Sequence, residues 1–173
     1  MNEIDMAPEI FTVDYVGEPG ERTFYLQARG ASETYTFLLE KEQVAALADK
    51  LRELLVLVDQ EDTIRSATAG RDPALSLEEP QEVLWRIGTI GLAYDESGDR
   101  VVVLMQPVDE DSVEEAEGSA AVRFALRRDQ VRAFVLHAFA IVGEGRPICR
   151  LCHLPMDPSG HRCPAVNGHR MEE

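Results

Sequence analysis

Two stretches of this chain run through the same order of hydrophobic patterns, and that order limits its fold more than any other feature. Phe11–Gly17 and Arg22–Arg29 alternate apolar and polar residues as strands do, with a turn at Glu18-Pro19-Gly20-Glu21 between them. Glu33–Leu39 reads as a third strand and leads straight into a helix. There Val44, Leu47, Ala48, Leu51, Leu54, Leu55 and Val58 recur at helical spacing. In the second half Trp85–Tyr94, Arg100–Pro107 and Ala120–Leu126 repeat the strands, and about Asp129 to Val142 repeats the helix. This second helix is apolar nearly all round, which marks it as the more buried of the two.

Two anchors align the halves. Gly20-Glu21-Arg22 matches Gly98-Asp99-Arg100, and Phe37…Gln43-Val44 matches Phe124…Gln130-Val131. Between them the offset grows from 78 to 87 residues, and the nine extra residues fall in the acidic stretch Val108–Gly118, where a loop insertion belongs. Each run has one apolar strand face and one apolar helix stripe, so neither buries its surface alone. The expectation is an α+β fold: two βββα units, residues 1–58 and 81–145, related by internal duplication and packed together. Residues 59–80 lack sustained periodicity and read as a flexible linker. Residues 146–173 read as a small C-terminal zinc knuckle.

That last reading rests on the cysteines. All three lie between 149 and 163, in a chain whose first residues are acidic and show no secretory signal, which points to a reducing, cytoplasmic setting and to metal rather than disulfides. Cys149 and Cys152 form a Cys-x2-Cys knuckle, and His161 and Cys163 follow after a turn-rich stretch that brings the chain back. Zn²⁺ suits three thiolates and one imidazole. The fourth ligand is His161 or, as an alternative, His169; His153 directly follows Cys152 and points away from the same ion. Three thiolates leave the metal a poor Lewis acid with no open position, so one structural zinc is expected.

The rest of the chain offers little catalytic chemistry. His137 lies in the apolar helix and reads as a hydrogen-bonded core or edge histidine rather than a base. Asp109, Glu110, Asp111, Glu114, Glu115 and Glu117 read as a solvated loop. With 17 Lys and Arg against 32 Asp and Glu the net charge is −15, which disfavours nucleic acid and anionic membranes as partners. Residues 146–173 are the exception, with four arginines against three acids. No apolar run is long enough to cross a membrane.

Several blocks resemble one known family. They are Val16 to Ala28, Leu39-Glu40-Lys41-Glu42-Gln43-Val44 and Trp85-Arg86-Ile87-Gly88. The ending Gly145-Arg146-Pro147, Cys149, Leu151-Cys152, Pro155, Asp157-Pro158, Gly160-His161 and Cys163-Pro164 belongs with them. They are similar to an uncharacterised, mainly actinobacterial family of conserved proteins of unknown function with a Cys-x2-Cys…His-x-Cys ending. The resemblance implies a histidine ligand at His161. It carries over no catalytic residue. Here His153 stands where the family usually has Gly, and Ala165 where it usually has Arg.

The sequence thus reads as a zinc-binding, non-catalytic adapter with an unidentified protein partner, its tail (Arg150, His153, Arg162, Arg170) serving recognition. The alternative is a hydrolytic or phosphoryl-handling enzyme with its site at the interface of the two repeats.

Overall fold

The computed structural model describes residues 4–18, 20–62, 64, 70–79, 82–108, 121–143, 150–152 and 163–166. The chain divides into two units, 1–142 and 143–173. The first holds β1 (Ile4–Met6), β2 (Ile10–Val16), β3 (Thr23–Arg29), β4 (Thr34–Leu39), α1 (Lys41–Asp59), a 3-10 turn at Pro73–Leu75, β5 (Val83–Asp95), β6 (Arg100–Pro107) and β7 (Val122–Leu126). Helix α2 (Arg128–Gly143) follows β7 and ends at the division. The second unit contributes a short 3-10 turn, Pro164–Val166. No helix among the described residues is long and apolar enough to cross a membrane.

All seven strands form one sheet in the order β1-β7-β6-β5-β4-β3-β2. The two runs of strands are therefore not separate layers: β4 and β5 pair in parallel and join them, and β1 pairs in parallel with β7. Only residues 7–9 separate β1 from β2, although these strands stand at opposite ends of the order. A flat sheet of this size would hold its outer strands about 29 Å apart, far beyond the reach of about 10–14 Å that so short a connection allows. The sheet curls until its edges meet. Rings from distant strands then touch inside the curl: Phe124 lies 5.8 Å from Phe11 and 6.1 Å from Phe37, and Phe11 lies 5.0 Å from Phe134 of α2.

The interior is set by alternation. Phe11 and Val13 of β2, Phe24, Leu26 and Ala28 of β3, and Phe37 and Leu39 of β4 point inward. So do Val101, Val103 and Met105 of β6, and Val122, Phe124 and Leu126 of β7. Phe11 pairs with Ala28 as Ile90 pairs with Met105. The Gly20–Gly98 spacing would set Phe11 against Thr89 and Ala28 against Gln106, one residue away from Ile90 and Met105, which pack on the core. Keeping the Gly20–Gly98 spacing across this whole hairpin would turn every inward side chain outward, because strand side chains alternate. The register sets Phe37 opposite Leu26 and Phe124 opposite Val103, all four facing the interior.

Each helix is tied across the sheet by a glutamine in its first turn. Gln43 Oε1 accepts from the Glu40 amide at 2.8 Å, and its Nε2 donates to the Ile87 carbonyl at 3.0 Å. Gln130 Oε1 accepts from the Arg127 amide at 3.0 Å, and its Nε2 donates to Pro8 O at 2.8 Å and Glu9 O at 3.0 Å. Both targets are bends where a strand stops pairing with one neighbour and starts with another. At the bend beside Ile87, Gly88 has no room for a side chain, since a Cβ would come within 2.8 Å of Pro107 O. Gln43→Ala and Gln130→Ala should each cost roughly 1–2 kcal/mol, because helix-cap and carbonyl bonds go together. The effects should add in the double variant, as independent sites do. Urea unfolding of the three proteins checks this, and changes below about 0.5 kcal/mol would show that the glutamines do not tie the helices.

Candidate functional site

Thr12, Asp14, Gln27 and Thr36 point away from the curl, and alternation alone would leave them in water. Instead all four are buried. Residues 70–79, part of the stretch expected to be a flexible linker, lie over them. Thr12 Oγ1 donates to Leu75 O at 2.5 Å. The Gln27 side-chain amide meets Glu78 at two points: Nε2 donates to its carbonyl at 3.0 Å, and Oε1 accepts from its amide at 2.9 Å. The same Nε2 is 3.2 Å from Thr36 Oγ1. Asp72 caps the 3-10 turn by accepting from Ala74 N at 2.9 Å, and Pro73 suits its first position. Leu75 is the one apolar side chain that this turn buries, so no periodic pattern announces it.

At one end of the segment sits a buried polar cluster. His137 of α2 is fully buried, and its Nδ1 accepts from the Asp72 amide at 3.0 Å. Its proton is therefore on Nε2, which faces Asp14 Oδ2 at 3.5 Å, a contact too long for a good hydrogen bond. Asp14 also accepts from the Tyr15 amide at 2.8 Å and forms an ion pair with Arg71. Burial by itself would raise the Asp14 pKa. The His137 contact, the Tyr15 amide and the Arg71 charge outweigh it and hold the carboxyl below its usual value. The guanidinium groups of Arg22 and Arg71 lie 4.2 and 5.4 Å from the centre of the Tyr15 ring.

Of the core or edge position that the sequence allowed for a hydrogen-bonded His137, the structure shows the core one. Asp14, Gln27, Thr12 and Asp72 were not singled out there. A lone Gln in a strand is a faint hint, but nothing local links Asp72 to a histidine 65 residues on.

A second polar cluster joins the helices. Asp59, at the end of α1, accepts from Arg128 at 2.9 Å and from Arg132 at 3.2 Å. Arg128 also reaches Asp99 at 2.8 Å and the Tyr94 hydroxyl at 2.9 Å.

Of the expected zinc ligands, Cys152 and Cys163 are described, and both are half-buried. Cys149, His161 and the alternative His169 lie outside the described residues, as do His153, Arg146, Arg162, Arg170 and the acidic loop from Asp109 to Glu117. Among the described residues no three His, Cys, Asp or Glu side chains gather as a metal site would.

Residues 6–163 match the family described as "Protein of unknown function (DUF3090)". The chain belongs to the DUF3090 family. The match takes in both helices, the covering segment with its contacts, and the cysteines up to Cys163. Neither a curated protein nor a solved structure matches the chain.

Proposed function

We infer that this DUF3090 protein is a cytoplasmic, non-catalytic adapter. Its body is a duplicated βββα pair, and one structural Zn²⁺ organises its C-terminal segment. The observation that carries the binding role is how the body uses its buried charges. Asp14 and His137 hold a segment of the chain against the sheet, and Asp59 at the junction of the halves is engaged by two arginines. These are attachments between pieces of polypeptide. A hydrolytic or phosphoryl-handling site at that junction would need carboxylates that are not already taken up by arginines.

Duplication is supported by the paired glutamines. Gln43 corresponds to Gln130 as Phe37 does to Phe124, and their targets Ile87 and Pro8 correspond as Ile90 does to Phe11. The zinc rests on donor chemistry: Cys149, Cys152 and Cys163 as thiolates with His161, or else His169, make a closed tetrahedral set. A closed site would order a segment that has too few apolar side chains to fold by itself.

Metal analysis of purified protein tests this reading. One zinc per chain is expected, falling to none in Cys163→Ser and in the double variant Cys149→Ser/Cys152→Ser, while circular dichroism of the body stays unchanged. A tagged pull-down from the native host should lose its partner in the same variants. Protein purified without chelators that carries no zinc would overturn the metal assignment. A partner set identical in wild type and zinc-free variants would move recognition away from the tail.

A further inference from the structure

The outer face of β2–β4 holds the 70–79 segment in the manner of a peptide-binding surface. Three of its contacts go to the segment's backbone, Thr12 to Leu75 O and Gln27 to both the amide and the carbonyl of Glu78, and His137 of α2 adds a fourth at the Asp72 amide. Side chains that bond main-chain groups read the path of a chain with little regard to its sequence. Three side chains then supply selectivity. Arg71 pairs with Asp14, Leu75 is buried, and Glu78 reaches Arg29 at 3.5 Å.

Two further features make the segment exchangeable. A groove of about 450 Å³ remains between it and the sheet, bounded by Glu9, Ile10 and Arg29 on one side and Pro73, Ala74 and Leu77 on the other. Beneath the segment lie Thr12, Gln27 and Thr36, which would be content in water, so uncovering them exposes no large apolar patch. The second run of strands also manages without such a cover among the described residues, for Leu104, at the position matching Gln27, is 43 % exposed.

We propose that this face is a binding site for a peptide that makes one 3-10 turn and carries Arg, an apolar residue and Glu at positions i, i+4 and i+7. Residues 71–78 are its ligand in cis, and a partner segment with that pattern competes for the same contacts. The site lies wholly in the first unit and does not depend on zinc.

The probe is a fluorescein-labelled decapeptide of residues 70–79, titrated into full-length protein and into the variant Leu75→Asp, whose own segment has lost its apolar anchor. Anisotropy should show saturable binding to the variant and at least ten-fold weaker binding to wild type, where the cis segment occupies the face. Adding Gln27→Ala to the variant should abolish binding, as should an Asp at the peptide's Leu75 position. No binding to a folded Leu75→Asp protein, or equal binding to wild type and variant, would overturn the proposal. If Leu75→Asp does not fold, hydrogen exchange on wild type decides. The amides of Asp72 and Glu78 should exchange at least 100-fold faster than those of β3, and protection equal to β3 would make the segment part of the core. Since Cys163→Ser leaves this face intact, failure here and failure of the zinc assignment are separable.

Discussion

Phe124→Ala is expected to destabilise the folded body by about 3–5 kcal/mol, the usual cost of removing a buried phenylalanine and leaving its space unfilled. The residue is fully buried at the centre of the curl. It touches Phe11 of β2 on one side and Phe37 of β4 on the other, two strands with β3 between them in the sheet. Phe37 in turn packs on Trp85 at 4.6 Å, and Phe11 packs on Phe134 of α2. Loss of this ring removes the aromatic contacts that join the second run of strands to the first, and rigid strands around it leave little scope for collapse into the gap. Thermal and urea unfolding measure the effect. Smaller losses, about 1 kcal/mol, would mean that the curl closes over the cavity or that Phe11 and Phe37 meet without help.

The second large effect is expected at His137. In His137→Leu the bulk is roughly kept, but the Asp72 amide loses its acceptor and Asp14 loses the group facing Oδ2. Each buried polar group left without a partner costs about 1–3 kcal/mol. A loss of roughly 2–4 kcal/mol at neutral pH follows, with some relief because Asp14 keeps the Tyr15 amide and the Arg71 ion pair.

The variant should also change the acid limb of stability. Asp14 has a lowered pKa in the folded state, so its ionised form favours folding. That contribution is whole above the ordinary value of 3.8 and is lost as pH falls through it toward the folded pKa. Without His137 the folded pKa moves up, and this part of the acid loss shrinks. In Asp14→Asn it should vanish. Urea midpoints between about pH 3 and 6 for wild type and both variants separate these cases. Identical slopes in all three proteins would show that Asp14 plays no part in acid sensitivity.

Much of the architecture was legible in the chain because strands and helices advertise themselves locally. Alternation at Val13, Leu26, Phe37, Val103 and Phe124 marks residues that face one interior, and the spacing of Leu47, Leu51 and Leu55 marks a helix stripe. The greater burial of α2 was readable from its nearly continuous apolar run. The matching place of Gln43 and Gln130 in the two helical runs was readable too, although their task of bonding a distant strand bend was not. β1 escaped notice because so short a strand cannot set a period, and its partner β7 lies at the far end of the same unit.

The reading of 59–80 as a flexible linker gave way at residues 70–79 for a different reason. What holds them is one leucine and a set of hydrogen bonds to side chains between 51 and 65 residues away. Such bonds leave no hydrophobic pattern, and composition rich in turn formers reads as loop whether or not something lies beneath it.

By itself the sequence determined the order of the longer strands and both helices and the close spacing of its cysteines between 149 and 163, since these depend on residue types and short spacings. The tertiary structure alone decided that both runs of strands share a single curled sheet and that Phe11 pairs with Ala28 and Ile90 with Met105. It alone brought Asp14, Gln27 and His137 together on a covering segment. Those outcomes follow from strand register and long-range polar contacts, which become definite only when distant parts of the chain meet.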